Sequence, residues 1–411
     1  MRNRHHPLSG KLRSLCFSTL LPGLFLPAVS PPVLAGGLYL NEFGTPAMGT
    51  SGAGAQALAN DASTAFHNAA GMTRLEGEEL MVSGGLLYYD SEFEPDPNTP
   101  IPGSDGGNAG GPGPILGAFY SRSLSDDWKF GLSVVSISAA IIDYDDDWTG
   151  RYLVQDVTVL TVSAMPSIAY RVNDKLSLGA GAMVMFAALD EKLAAPPPLG
   201  TGQVKIDGND FEFGFNLSAL YELDDDTRLG LMYSSEMTPT FSGDVEITPP
   251  DLQAGIDAGI TFPQLVRLSG YHQLNPRWAL LGTVGWENWS AFENITLSTA
   301  KGSQVLPRNW NDTWHYSAGA HYRINNQWLL QFGAAYDTSP VDASDRTPDM
   351  PMDRQVRLSV GAQYSVSKDL TIGGAFTFAD YGDAAIDNNL LKGDYNTNDL
   401  YFLAINANWK L

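Results

Sequence analysis

Gln355–Ser367 reads QVRLSVGAQYSVS, and in it Val356, Leu358, Val360, Ala362, Tyr364 and Val366 alternate with Arg357, Ser359, Gly361, Gln363 and Ser365. A period of two places the two sets on opposite faces of an extended strand. One face is apolar and ends in an aromatic residue, the other is small or polar. The same alternation occupies Trp314–Ile324, where Trp314, Tyr316, Ala318, Ala320, Tyr322 and Ile324 oppose His315, Ser317, Gly319, His321 and Arg323. Such strands suit lipid on one side and a lumen on the other.

Outward from these two strands, connections alternate in length. Short turns stand at Ser125–Asp127, Asn173–Lys175, Asp224–Asp226, Asn275–Arg277, Asn325–Gln327 and Ser367–Asp369. Long polar loops are expected near Pro95–Pro114, Asp143–Arg151, Asp190–Gln203, Gly243–Thr261, Glu293–Asp312, Asp337–Arg354 and Tyr381–Asn398. Six turns and seven loops leave about fourteen strands. An even number of antiparallel strands, tight turns on one side and long loops on the other, predicts an all-β transmembrane barrel of the bacterial outer membrane with both termini in the periplasm. The turn spacing of about fifty residues is also that of a kelch blade, but a blade holds four short strands and each repeat here holds two long ones. Tryptophans near strand ends (Trp128, Trp148, Trp278, Trp286, Trp289, Trp310, Trp314, Trp328 and Trp409) predict interfacial girdles. The last strand alternates to an apolar terminus, Leu411, like the signal read by barrel-assembly machinery.

Gly36–Met72, GGLYLNEFGTPAMGTSGAGAQALANDASTAFHNAAGM, breaks the pattern. It has too few large apolar side chains for a core of its own and is expected to fill the barrel lumen as a hatch. Ahead of it, Arg2, Arg4, Lys11 and Arg13, an apolar run over Leu15–Val29 and the small-residue pattern Val33-Leu34-Ala35 predict a secretory signal peptide. The expected organisation is signal peptide 1–35, hatch 36–78 and barrel 79–411. The lone cysteine, Cys16, falls in the signal segment, so the mature chain has no thiol chemistry. A lipoprotein box at Cys16 is the alternative, but Arg13-Ser14-Leu15 puts the wrong residue before the cysteine.

The 411 residues carry a formal net charge of −22 with only 17% charged side chains. That acidity argues against nucleic acid as a partner. Gly49–Gly54 lacks the Lys-Ser/Thr of a phosphate loop. Asp143, Asp145, Asp146 and Asp147 lack the Gly and closing Glu of a calcium loop. No cofactor, metal or enzymatic activity is expected.

Several blocks resemble one family in order along the chain: Gly37–Gly44, Asp61–Thr64, Asn68–Met72, Asp145–Tyr152, Leu306–Trp310, Thr347–Pro351 and Asp380–Ala384. They are similar to the long-chain fatty acid outer-membrane transporter (FadL / toluene-porin) family. The resemblance implies a fourteen-stranded barrel, a hatch, diffusion of hydrophobic molecules, and lateral release through a gap at a kink in the third strand. The family's hatch motif is Asn-Pro-Ala, and here Asn68-Ala69-Ala70 lacks the proline. Proline fixes φ and removes a donor, so a more adaptable turn is expected.

The function expected is passive uptake of hydrophobic compounds, long-chain fatty acids first, by a monomer sitting in outer-membrane lipid and lipopolysaccharide. The alternatives are an aromatic or alkane hydrocarbon channel, and an adhesin or phage receptor using the loops. Capture is expected at Leu252, Ile256 and Ile260 in a helix-like Pro249–Ile260 segment and at Pro196–Leu199. The pocket is expected from Phe43, Met48 and Phe66 of the hatch with Val135, Met183 and Met185 of the wall, because Met and Phe adapt to flexible aliphatic chains. A carboxylate would be met by Arg151, Arg267, Arg323 or Arg357, unless these pair with lumen acids. The lateral gap is placed at Ser136, Ile137, Ser138, Ala139 and Ala140, where small residues weaken the packing.

Overall fold

The structure, a computed structural model, describes residues 42–136, 139–195, 202–248, 252–299 and 302–411. The expected signal peptide, the first six hatch residues and the proposed capture segment Pro196–Leu199 lie outside them. Fourteen antiparallel spans form one closed wall. They are β1 Glu78–Pro95, β2 Pro112–Ser123, β3 Trp128–Val135 with Ala139–Asp143, β4 Asp156–Arg171, β5 Leu176–Ala194, β6 Gln203–Glu222 and β7 Thr227–Ser234 with Thr240–Thr248. The wall continues through β8 Leu252–Gly259 with Leu265–Gln273, β9 Trp278–Glu287 with Asn294–Thr299, β10 Gly302–Pro307 with Thr313–Arg323, β11 Trp328–Asp337, β12 Gln355–Ser365, β13 Leu370–Asp380 and β14 Lys392–Lys410. Each span pairs with its neighbour in sequence, and β1 pairs with β14 from Glu79↔Lys410 to Pro95↔Gly393, which closes the wall. Closure removes the free edges that a membrane cannot hydrate.

The alternation read from β12 holds. Leu358, Val360 and Val366 are about half exposed on the outer face, whereas Arg357 and Ser359 are buried inside. In β10, Trp314 and Tyr316 face out and His315 and Ser317 face in. Trp128, Trp278 and Trp328 start their spans beside short turns and lie against Tyr170, Tyr322 and Tyr364 one strand away, with ring centroids 4.6, 4.6 and 4.7 Å apart. That is an aromatic belt at the short-turn end. Trp148, Trp289 and Trp310 depart from the expected girdles: they are buried in the loop region, because their segments turn inward rather than along the wall.

Two expected loops are largely strand. Thr240–Thr248 pairs with Leu252–Gly259, and Asn294–Thr299 pairs with Gly302–Pro307, so both hairpins extend the wall toward the long-loop end. The helix-like reading of Pro249–Ile260 is therefore corrected. Apolar residues four apart at Leu252, Ile256 and Ile260 fit a helix, but they equally share one face of a strand, and strand partners on both sides decide. Among the described residues, no helix is long and apolar enough to cross a membrane.

Residues 42–77 run inside the wall as short helical turns, Pro46–Thr50, Ala55–Leu58, Thr64–His67 and Ala69–Arg74, and nearly all are buried. Such turns are too short to persist alone. The wall supplies their stability.

Candidate functional site

The hatch is seated by a ring of wall hydroxyls and amides that pair with its backbone. Ser83 donates to the Phe43 carbonyl (2.7 Å), Asn406 to Gly44 (2.9 Å), Gln331 to Pro46 (3.0 Å) and Thr283 to Gly52 (3.1 Å). Arg228 donates through Nε to Ala57 (2.5 Å) and through Nη2 to Leu58 (2.6 Å), and stacks on Tyr271. Asn68 donates to the carbonyls of Gln56 (2.6 Å) and Ala219 (3.0 Å), while Ser218 accepts from the Ala70 N–H (3.1 Å). Hatch carbonyls that find no helical partner thus find the wall. Inward glycines let the backbones meet: a Cβ on Gly230 would fall 1.9 Å from the Gln56 oxygen, and one on Gly333 would fall 2.1 Å from the Thr50 carbonyl carbon.

Burial displaces hatch groups electrostatically, Asp61 and His67 most. Burial pushes the Asp61 carboxyl up to about 6, against hydrogen bonds from Ser63. Burial pushes His67, bonded to Thr45 Oγ1 at 3.0 Å, down to about 4.

Above the hatch, Phe43, Met48, Phe66, Val135, Met183 and Met185 fall into one continuous apolar cluster, all buried. Phe43 and Phe66 meet edge to face at 4.9 Å. All six pocket candidates thus belong to this cluster. Residues not foreseen join them where β7, β8, β9 and β10 break: Met237, Phe262, Trp289, Phe292 and Trp310 are buried at these interruptions. Trp310 lies 5.1 Å from Trp289 and 4.9 Å from Phe292, centroid to centroid. The sequence signal was available in Pro239, Pro263 and Pro307, each flanking an interruption of an otherwise regular strand.

The arginine candidates divide. Arg267 pairs with Glu287 (2.5 Å), and Arg357 pairs with Asp337 and, at 3.1 Å, with Glu42 of the hatch. Arg323 is exposed beside the Asn325–Gln327 turn. Arg151 donates to the carbonyls of Pro102 (2.9 Å) and Trp148 (2.8 Å) in the loop region. Pairing with lumen acids, the alternative weighed for these residues, is what Arg267 and Arg357 adopt. Arg308, not foreseen, holds Asp349 through two bonds of 2.7 and 3.1 Å. Burial would raise that carboxyl, yet the Arg308 guanidinium holds Asp349 below its ordinary range. His315 bridges Asp337 (2.7 Å) and Ser317 (3.2 Å), a contact of Ser, His and Asp that the scattered sequence positions did not reveal. Asp337 is already committed to Arg357, so the set is a neutralised network between the hatch and the wall.

Ile256 and Ile260 are buried and face inward. Ile256 packs with Ala195, Val204 and Ile206, and Ile260 joins the main lumen cluster. The Leu252 side chain lies outside the described residues.

Among the described residues the ladder breaks beside Val135, between β2 and β3, as it also does at Phe211–Gly214 of β6 on the side facing β7. The β2–β3 ladder ends at Gly117↔Val135. Beyond it, Pro112–Leu116 pairs with β1 alone and Ala139–Asp143 with β4 alone among the described residues. Toward the loops the two sides are rejoined, first by the Asp143 N–H to the Ala109 carbonyl (2.8 Å) and then by the Asp145 N–H to the Gly106 carbonyl (3.0 Å). Of the five residues placed at the gap, Ser136 follows directly on the lower piece of β3, Ala139 and Ala140 begin the upper piece, and Ile137 and Ser138 lie outside the described residues.

Residues 26–409 match the family described as outer membrane protein transport protein (OMPP1/FadL/TodX). The chain belongs to that family. Its location is thus the bacterial outer membrane. The chain is 25% identical over 381 residues to the long-chain fatty acid transport protein of Salmonella typhi, covering 84% of this chain and 87% of that one. It is 24% identical over 392 residues to the protein of that name from Escherichia coli K12, covering 84% and 87%. In fold it is similar to the crystal structure of a Pseudomonas aeruginosa FadL homologue, with TM-score 0.84, 22% identity, and 91% and 100% of the two chains covered. It is also similar in fold to the Pseudomonas putida toluene transporter TodX, with TM-score 0.69, 18% identity, and 92% and 99% covered. Family members of this kind are outer-membrane transporters of hydrophobic compounds.

Proposed function

We propose that this protein is a passive channel, not an enzyme, that takes up long aliphatic compounds at its long-loop end, holds them against the apolar cluster above the hatch and releases them sideways between β2 and β3. The unpaired wall beside Val135 carries this reading. A hydrophobe is excluded by the outer sugar layer and gains nothing from a water-filled pore. Burying it yields about 0.8 kcal/mol per methylene, so a sixteen-carbon chain gains on the order of 10 kcal/mol before ordering costs. Release into water would forfeit that energy. Release through the wall into acyl chains retains it. In this reading the short turns and both chain ends face the periplasm, and one barrel encloses one route, so a monomer suffices.

The names of the relatives point to two ligand classes, fatty acids and toluene. Flexible methionines at 48, 183 and 185 favour aliphatic chains. A second reading, aromatic hydrocarbons, is favoured by the Trp289–Phe292–Trp310 cluster, where edge-to-face contacts could continue onto a ligand ring.

The lateral route is tested by bridging it. A Cβ on Gly113 would lie 3.3 Å from Ile141 Cδ1 across the opening. Gly113→Cys with Ile141→Cys, joined by a short cleavable thiol cross-linker, should cut hexadecane uptake into vesicles at least tenfold, and cleavage should restore it. Undiminished uptake in the bridged protein would rule the route out. A receptor function of the loops would not respond to the bridge.

A further inference from the structure

We propose that the lumen site beside the wall opening prefers hydrophobic molecules with a neutral hydrogen-bonding end, a long-chain alcohol being the simplest, over the matching carboxylates. This rests on the transport reading above.

The argument starts from one row across four spans. Val135 of β3 stands opposite Ser163 of β4, Ser163 opposite Met185 of β5, and Met185 opposite Glu212 of β6. Directly opposed residues share a face, and Val135, Ser163 and Met185 are buried inside while Phe211 and Phe213 on either side of Glu212 face out. Glu212 therefore points into the lumen. In the next row toward the hatch, Ser133 stands opposite Met165. Ser133 and Ser163 are each 1% exposed, and neither hydroxyl has a hydrogen-bond partner among the described residues.

A buried hydroxyl left without a partner is costly, and native interiors avoid it. Two of them lie among methionines, beside the residue where the β2–β3 ladder stops. A ligand oxygen placed there would accept from both. The methionines, soft and unbranched, can make way for it.

Charge decides which oxygen. Glu212 has no ion pair among the described residues, and strands are about 4.8 Å apart, so its backbone is only about 10 Å from that of Ser163. Arginines above the hatch have partners already: Arg267 pairs with Glu287, Arg308 with Asp349, Arg346 with Asp353 and Arg357 with Asp337 and Glu42, while Arg151 is bonded to the Pro102 and Trp148 carbonyls. Among the described residues, a carboxylate would meet an acidic group beside it and arginines that already have partners. An alcohol accepts from the serines and can donate toward Glu212.

The test uses the full-length protein in detergent at pH 7.5, with native mass spectrometry reading retained 1-dodecanol, dodecanoate and dodecane. Dodecanol should be retained at least tenfold better than dodecanoate. Glu212→Gln should narrow that ratio by raising dodecanoate. Ser133→Ala with Ser163→Ala should lower dodecanol to the level of dodecane, with heat-shifted gel migration verifying that the barrel remains folded. Equal or better retention of dodecanoate, alongside retained dodecane, would overturn the preference and leave transport standing. Retention of none of the three by the folded barrel would overturn both.

Discussion

Arg357 of β12 stands 3.1 Å from Glu42, the first described residue of the hatch, while the same guanidinium pairs with Asp337 on β11. All three side chains are almost wholly buried. The start of the hatch is thereby tied to the wall by charge and not by apolar packing alone. Removing one member of a buried set strands the others and costs about 3–5 kcal/mol. Arg357→Ala should lower the thermal midpoint of the whole barrel. Glu42→Gln, which leaves Asp337 to neutralise the arginine, should loosen the hatch and spare the barrel. Hydrogen exchange of hatch against wall peptides separates the two outcomes.

Wall glycines at the hatch level should be intolerant of a single methyl group. Gly230→Ala and Gly333→Ala place a carbon about 2 Å from hatch backbone, and backbone cannot move aside as a side-chain tip can. Overpacking of this kind costs about 1–3 kcal/mol or more. The expected result is an unseated hatch in a closed barrel, read as raised single-channel conductance in planar bilayers. Gly270→Ala, whose Cβ would meet nothing closer than 3.6 Å, is the control and should conduct like the parent.

Ala69 occupies the first position of the turn Ala69–Arg74, and Asn68 before it is extended, at φ −164° and ψ 95°. That is the backbone a following proline requires. Ala69→Pro should therefore be accepted and should stabilise the hatch by about 0.4–1 kcal/mol through the unfolded chain. Slower hatch exchange with an unchanged barrel midpoint would agree. Faster exchange would refute the assignment.

Asp61 and His67 of the hatch act in opposite directions with pH. His67 has a folded value of about 4 against an ordinary 6.5, so its contribution is complete above 6.5 and is lost as pH falls toward 4. Asp61 has a folded value of about 6 against 3.8, so its contribution is complete below 3.8 and is lost as pH rises toward 6. In Asp61→Asn only the histidine remains, and hatch protection, corrected for intrinsic exchange, should fall from pH 7 to pH 4. In His67→Gln only the aspartate remains, and protection should rise over the same interval. Parallel pH profiles in the two variants would contradict both assignments.

Much of the architecture was legible because a barrel wall repeats one local rule. Alternation in Gln355–Ser367 sets which side chains face lipid without knowledge of any partner strand, and the turns at Asn325–Gln327 and Ser367–Asp369 mark where the chain reverses. The inward facing of Val135, Met183 and Met185 was legible for the same reason. Parity could not tell a loop from a hairpin that rises above the membrane. Thr240–Thr248 and Leu252–Gly259 look polar, and their strand state depends on pairing with each other.

Composition and periodicity alone thus determined the number of spans, the face each side chain takes, and the need of the Gly-rich amino-terminal segment for a surrounding wall. Folding decided what the charged and hydroxyl groups do. Whether Arg357 greets a ligand or holds Glu42 depends on an acid brought from β11, 20 residues away in the chain, and on one from the hatch, hundreds of residues away. Whether Ser133 and Ser163 are satisfied depends likewise on what the neighbouring spans place opposite them. Alternation is a property of one strand, whereas electrostatic pairing and ladder register are properties of the closed wall.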